Sequence, residues 1–312
     1  MKKIMIFEKA SATLFVAALL VFSPVAAAKN FRFIAIGDTP YVSYDQLDQL
    51  ATRINKESVA FTVHVGDIKS GSTLCTDEVF QHVYRQFMSF EKPLVYTPGD
   101  NEWTDCHRKN NGSYDPIERL QKIRSVFFSS NQSLGRLAIP LEQQSSQQAF
   151  RDFPENRYWS QENISFATIH MVGSNNNLQP ELPSFSEFKL RNEANIAWMR
   201  ETFSRARAQG HTAIVLAMQA DTFYDASKPT ESGFVDWLVA FQQEVANWKK
   251  PVLLIQGDSH VFKVDWPLKG KGAGLDLVQR LVVPGAQVTD AVVIDVNPDS
   301  STQIFNIRSL LR

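Results

Sequence analysis

From Phe31 onward the chain alternates short apolar runs with longer stretches in which apolar residues recur every three or four positions. Runs of the first kind predict strands and stretches of the second predict amphipathic helices. Phe31 to Ile36 reads as a strand, and Ser43 as the cap of a helix from Tyr44 to Lys56 with Leu47, Leu50 and Ile54 on one face. A second strand covers Val59 to Val65. Thr76, followed by Asp77 and Glu78, opens a helix reaching Phe90, since acidic groups suit a helix N-terminus. Pro93 to Thr97 is a third strand.

The pattern loosens from Trp103 to Asn156, where one good helix, Pro116 to Phe128, precedes a Gln/Ser-rich stretch at Gln143 to Gln148. This segment reads as an insertion over the sheet edge. Strands return at Arg157–Ser160 and Ile164–Val172. A long helix follows, Glu187 to Gln209, with Leu190, Ala194, Ala197, Trp198 and Phe203 expected to face inward. Then come strand His211–Met218, helix Gly233–Lys249, strand Pro251–Gln256 and a tail of short β segments. Domains commonly hold about 100–200 residues, so residues 29–312 could form one large domain or two small ones. No repeat or linker interrupts the alternation, and one α/β domain is expected.

Ahead of it, Lys2 and Lys3 precede an apolar run, Ala12 to Phe22, and then Ala26-Ala27-Ala28. A basic start, a short apolar core and a small-residue exit describe a signal peptide over residues 1–28. The run is short of the roughly 20 residues that a membrane span needs, so an uncleaved anchor is the lesser alternative. Export to the periplasm or the exterior, with no membrane contact after cleavage, is the expectation. Composition adds that a net charge of -1 gives no reason to expect a nucleic-acid partner, while 44% hydrophobic residues suffice for a large core. Nothing in the sequence sets an oligomeric state. Cys75 and Cys106 are the two cysteines, and in an oxidising compartment such a pair suggests a disulfide.

The candidate chemistry lies at the strand ends. Four predicted strands end in Gly-Asp, giving Asp38, Asp67, Asp100 and Asp258. Ligands of open α/β sheets bind beyond the carboxyl ends of the strands. Carboxylates gathered there repel one another unless a cation sits among them. A single Gly-Asp is a common turn start; four of them are hard to dismiss as turns. Signatures of serine hydrolases, zinc peptidases and nucleotide-binding loops are missing.

The motif order resembles that of the calcineurin-like metallophosphoesterases, including the purple acid phosphatases. That family carries Asp-x-His, Gly-Asp-x-x-x-Gly, Gly-Asn-His-Asp/Glu, a lone strand-end His and Gly-His-x-His. This chain has Asp38-Thr39-Pro40, Gly66-Asp67-Ile68-Lys69-Ser70-Gly71, Gly99-Asp100-Asn101-Glu102, Met218-Gln219 and Gly257-Asp258-Ser259-His260. The resemblance implies an α/β/β/α sandwich of two mixed sheets with helices outside. It also implies that Asp67 bridges two metal ions, with Asp38 and His260 at the first and Asp100, Asp258 and Gln219 at the second. A one-residue shift would make Asn101 the ligand in place of Asp100, and Met218 could hold the strand-end position.

Several family histidines are replaced: Pro40, Asn101 and Asp258 stand where imidazoles belong, and the lone strand-end His is missing. Oxygen donors favour Mg²⁺, Mn²⁺ or Ca²⁺ over an Fe–Zn centre. The lost imidazoles also leave the first ion weak or absent as one outcome, so one or two cations are expected. For proton transfer the candidates are Asn101, in the catalytic position, with Glu102 or His107 as the replacement acid. Lys69, Arg108 and Lys109 are candidates for phosphate oxygens, with Arg108 and Lys109 read first as solvated loop residues. Trp103 is either a substrate platform or a packing residue, and His64 is expected in the core rather than at a metal. The expected function is a metal-dependent phosphoesterase acting on a phosphorylated small molecule. The rival is an inactive relative that binds a metal or a phosphorylated ligand; a purely structural protein is a distant third.

Overall fold

In a computed structural model of the chain, the described residues are 28–178, 184–224 and 232–311, together with Met1, Lys2 and Met5. The expected signal segment falls almost wholly outside them. Among the described residues no helix is long and apolar enough to cross a membrane.

Two sheets face each other. The first has strand order β12-β11-β1-β2-β3, in which β1 is Phe31–Ile36, β2 Thr62–His64, β3 Leu94–Tyr96, β11 Val292–Val296 and β12 Phe305–Ser309. Strands β1, β2 and β3 run parallel, Ile34 opposite Thr62 and Thr62 opposite Leu94. The second sheet has order β4-β5-β6-β7-β8-β10-β9. Here β4 is Glu142–Gln143, β5 Arg157–Gln161, β6 Ile164–Thr168, β7 Ala213–Ala217, β8 Val252–Gln256, β9 Lys263–Asp265 and β10 Val278–Val282. Its central strands β6, β7, β8 and β10 are parallel. Parallel strands covered on both faces need near-continuous apolar runs, and FRFIAI, AIVLA and VLLIQ supply them.

Between the sheets Phe33, Phe61 and Phe166 pack with ring centroids 5.1–5.4 Å apart, and Trp159 stacks on Phe166 at 5.1 Å. The outer face of the first sheet is covered by α1 (Tyr44–Ile54), α2 (Asp77–Met88) and α3 (Pro116–Phe127) through Leu47, Leu50, Phe80, Phe87, Ile123 and Phe127. The outer face of the second is covered by α4 (Ser184–Ala208) and α5 (Val235–Trp248) through Trp198, Phe203, Trp237 and Phe241. The layering is therefore α/β/β/α, as the family resemblance implied. Thr76 caps α2 by accepting from the Val79 N–H, and Asp115 caps α3 ahead of Pro116.

Two details differ from the periodicity. Leu190 is 61% exposed, and Arg191 takes the inward position with 0% exposure. The face of α4 over the strand ends is polar: Arg191 donates to Glu187, to the Asn176 side chain and to the His170 carbonyl. Burial of a charge is tolerated because each of its bonds is met. The 103–156 segment runs from one sheet edge to the other, with Leu134 bridged to Leu94 of β3 and β4 paired to β5. Its Gln-rich part is held by Gln144, whose amide donates to the Ala194 carbonyl at 2.8 Å and accepts from Asn156 at 2.8 Å.

Candidate metal centre

The parallel strands of both sheets point their carboxyl ends at the same rim. Asp38 follows β1, Asp67 follows β2, Asp100 follows β3, Gln219 follows β7, and Asp258 with His260 follows β8. Backbone bonds knit these turns together: Asp38 N–H donates to the Gly66 carbonyl (2.9 Å), Gly257 N–H to the Gln219 carbonyl (2.8 Å) and Ala286 N–H to the Asp38 carbonyl (2.8 Å). Asp38, Asp67, Asp258 and His260 all have left-handed backbones, with φ of 51°, 57°, 68° and 59°. Such conformations are costly for non-glycine residues and cluster at functional sites. Gly99 is required by contact: a Cβ there would lie 2.1 Å from Asp67 Oδ1.

Asp38, Asp67 and His260 each offer a ligand atom, and these atoms lie within 4.8 Å of one another. His260 Nε2 stands 3.1 Å from Asp38 Oδ1, which also accepts the Asp258 N–H at 3.0 Å. Asp38 Oδ2 is buried and has no hydrogen-bond partner among the described residues. Such an atom is expensive to leave unsatisfied, and a divalent cation would satisfy it. On the other side, Asp67 Oδ2 accepts from Tyr41 Oη (2.5 Å) and Asn101 Nδ2 (2.7 Å).

Burial pushes the Asp38 and Asp67 carboxyls up, Asp67 well above the usual range because Asp100, Glu102 and Asp38 add their charges. Burial, then the Asp100 and Asp38 charges, raises Asp258 to about 7. The Asp38 hydrogen bond raises His260, and burial lowers Lys69 to about 8. Opposed carboxylates with raised pKa values are a site short of positive charge, which is the electrostatic complement of a cation.

Asp100, Gln219 and Asp258 are also together, but bound to one another. Gln219 Nε2 donates to Asp100 Oδ1 (3.3 Å) and Asp258 Oδ1 (3.2 Å), while Gln219 Oε1 accepts the Gly173 N–H. Asp100 Oδ2 accepts from Ser174 Oγ at 2.7 Å.

The remaining candidates divide. Asn101 sits at the Asp67 carboxylate. Glu102 is fully buried; its Oε1 accepts from the Gly99 N–H (2.7 Å), the Asp67 N–H (3.2 Å) and Tyr96 Oη (2.8 Å), and burial raises it to about 7. It braces two strand-end turns from behind. His107 is exposed and its Nδ1 is 2.6 Å from the Thr104 carbonyl. Lys69 is 1% exposed, donating to the Ser70 carbonyl and Asn111 Oδ1. Arg108 pairs with Asp105 at the rim, and Lys109 is exposed. Trp103 is fully buried, so it packs and offers no platform. His64 is a buried core histidine: its Nδ1 accepts the Gly66 N–H, which leaves Nε2 to donate to the Thr39 carbonyl, and burial lowers it to about 4. Cys75 and Cys106 form a disulfide.

Tyr41, Ser174 and Asp105 went unnoticed in the sequence. Tyr41 directly follows the Asp38-Thr39-Pro40 motif, and that adjacency was its one available signal. Beside it a cavity of about 380 Å³ opens, lined by Pro40, Tyr41, Tyr44, Lys69 and Thr73 among others. Ser174 and Asp105 lie in no motif.

No family model and no curated protein sequence matches this chain. Solved structures do resemble it. PhoD superposes with a TM-score of 0.59 at 14% identity, covering 88% of this chain and 65% of that one. The purple acid phosphatase PPD1 from yellow lupin seeds superposes with a TM-score of 0.50 at 10% identity, covering 90% of this chain and 54% of that one. The fold is that of the calcineurin-like metallophosphoesterases. The strand-end residues Asp38, Asp67, Asp100, Gln219, Asp258 and His260 lie at one rim of this fold. The chain spans 65% of the PhoD chain's length and 54% of the phosphatase's.

Proposed function

We propose that this chain is an exported, divalent-metal-dependent phosphoesterase that hydrolyses a phosphomonoester or phosphodiester of a small molecule. The observation that carries the reading is the convergence of Asp38, Asp67 and His260 around the unpartnered Asp38 Oδ2, on a fold shared with a purple acid phosphatase. These three residues would hold the cation, and two carboxylates with one imidazole favour Mg²⁺, Mn²⁺ or Ca²⁺ over an Fe–Zn centre. When bound, such an ion supplies positive charge against phosphoryl oxygens and makes water more acidic. Asn101 and Tyr41 orient Asp67 through their bonds to Oδ2. Arg108, 44% exposed and anchored by Asp105, stands at the rim to meet substrate oxygens. Glu102 is a positioning residue in this reading, because three donors already occupy its Oε1. The cavity beside Tyr41 gives the leaving group room. Export rests on the signal-like segment and the disulfide, which suits an oxidising compartment.

A second reading, a metal- or phosphate-binding relative without turnover, is favoured by two observations: Asn101 stands in the place of an acid, and His107 turns to a backbone carbonyl. One experiment separates the two. Metal-stripped protein is assayed on aryl phosphate mono- and diesters after adding Mg²⁺, Mn²⁺, Ca²⁺ or Zn²⁺, beside Asp67→Ala. Metal-restored turnover that Asp67→Ala abolishes supports the enzyme. Metal binding without turnover supports the binder, and neither would end both readings.

A further inference from the structure

The geometry points to a centre built for a single cation, in which an internal amide–hydroxyl bridge replaces the second ion of a two-metal site. This rests on the metal reading above and concerns how many ions the rim holds. A hard divalent cation needs several converging oxygen acceptors. On the Asp38 side they exist: two carboxylates and an imidazole converge within 4.8 Å. Although both Asp67 oxygens and Asp38 Oδ1 accept hydrogen bonds, the buried Asp38 Oδ2 lacks a partner among the described residues.

On the Asp100 side three of the four carboxylate oxygens of Asp100 and Asp258 are already engaged, Asp258 Oδ2 being the exception among the described residues. Asp100 and Asp258 are already joined through Gln219 Nε2, at 3.3 and 3.2 Å. An amide has one acceptor end and one donor end, and the Gly173 N–H settles which is which. It can bond only to the Gln219 oxygen, so the NH₂ must face the carboxylates. Turning the amide to offer oxygen to a metal would set NH₂ against the Gly173 N–H and leave both unpaired inside the protein. The second oxygen of Asp100 faces the Ser174 hydroxyl at 2.7 Å, nearer than the Asp105 Oδ1 that the same hydroxyl reaches at 3.1 Å. Ser174 is held there with φ of 49° in a left-handed turn, Ser174 to Asn177. Backbone closes the remaining side: a Cβ on Gly173 would lie 2.6 Å from Asp258 Oδ1 and 2.9 Å from Asp100 Oδ2. Neutral N–H and O–H groups thus do for this carboxylate pair what a cation would otherwise do.

The test is a count. Metal-stripped full-length protein is titrated with Mn²⁺, following bound ion by calorimetry and by the electron paramagnetic resonance of free and bound Mn²⁺. One equivalent per chain is expected, without the exchange-coupled signal of a Mn²⁺ pair, and Asp38→Asn is expected to weaken it at least tenfold. Gln219→Glu keeps the shape and the acceptor for Gly173 but turns the donor end into a third carboxylate oxygen. It is expected to bind a second equivalent. Two equivalents in the unaltered protein, or a coupled pair signal, would overturn the inference while leaving the metal reading intact. A Gln219→Glu protein that folds and still binds one would also count against it. No binding at all would remove the metal reading and this inference together.

Discussion

The Cys75–Cys106 bridge ties the loop that leaves Asp67 to the loop that leaves Asp100, and both sulfurs are fully buried against the Asn101 carbonyl, at 3.6 and 3.7 Å. Replacing both residues by alanine opens a loop of 31 residues in sequence separation. The chain-entropy relation for that length gives about 12 cal/mol/K, or about 4 kcal/mol at 25 °C, released to the unfolded ensemble. For a chain of this size that corresponds to a fall in Tm of roughly 6 °C. Urea unfolding followed by fluorescence of the six tryptophans measures the first quantity and calorimetry the second. Because the bridge holds the Asn101 backbone that donates to Asp67 Oδ1 at 3.3 Å, Mn²⁺ affinity should fall as well. A double variant within about 1 kcal/mol of the parent would refute the view that this bridge constrains the rim.

Glu102→Ala strands three buried donors, those of Gly99, Asp67 and Tyr96, and at 1–3 kcal/mol each should cost at least about 3 kcal/mol in urea unfolding, whereas Glu102→Gln keeps the acceptor and costs less. Equal losses from the two variants would show that the acceptor oxygen is not what matters. Gly99→Ala puts a methyl 2.1 Å from Asp67 Oδ1, so Mn²⁺ affinity measured by calorimetry should drop at least tenfold; unchanged affinity would show that Asp67 has room to move. The pH dependence follows from Asp258, whose carboxyl is raised from 3.8 to about 7. A group raised on folding contributes stability that is present below its unfolded pKa and lost as pH rises through its folded one. In metal-free protein, Asp258→Asn should therefore gain on the parent between pH 4 and 7, by at most roughly 4 kcal/mol, and a gap in Tm that stays flat or reverses over that window would contradict the assignment.

Much of this was legible in the sequence because it depends on short-range rules. Strand and helix positions follow from apolar spacing, and the cap at Thr76 is a local hydrogen bond; Ser43, expected to cap α1 in the same way, makes no side-chain bond there. Gly-Asp at four strand ends marked the rim, since parallel strands bring their carboxyl ends to one edge whatever lies between them. Three-dimensional packing decided the rest. Periodicity pointed Leu190 inward, but the polar bonds of Arg191 to Glu187, Asn176 and His170 rotated that helix face. Motif order could group Asp38 with His260 and Asp100 with Asp258, but not say which group stays open to a cation. That turned on the Gly173 N–H, 46 residues from Gln219, and on the Ser174 hydroxyl, 74 residues from Asp100. The direction of a hydrogen bond depends on what stands on its far side, and residues that distant in the chain become neighbours only when the two sheets close on each other.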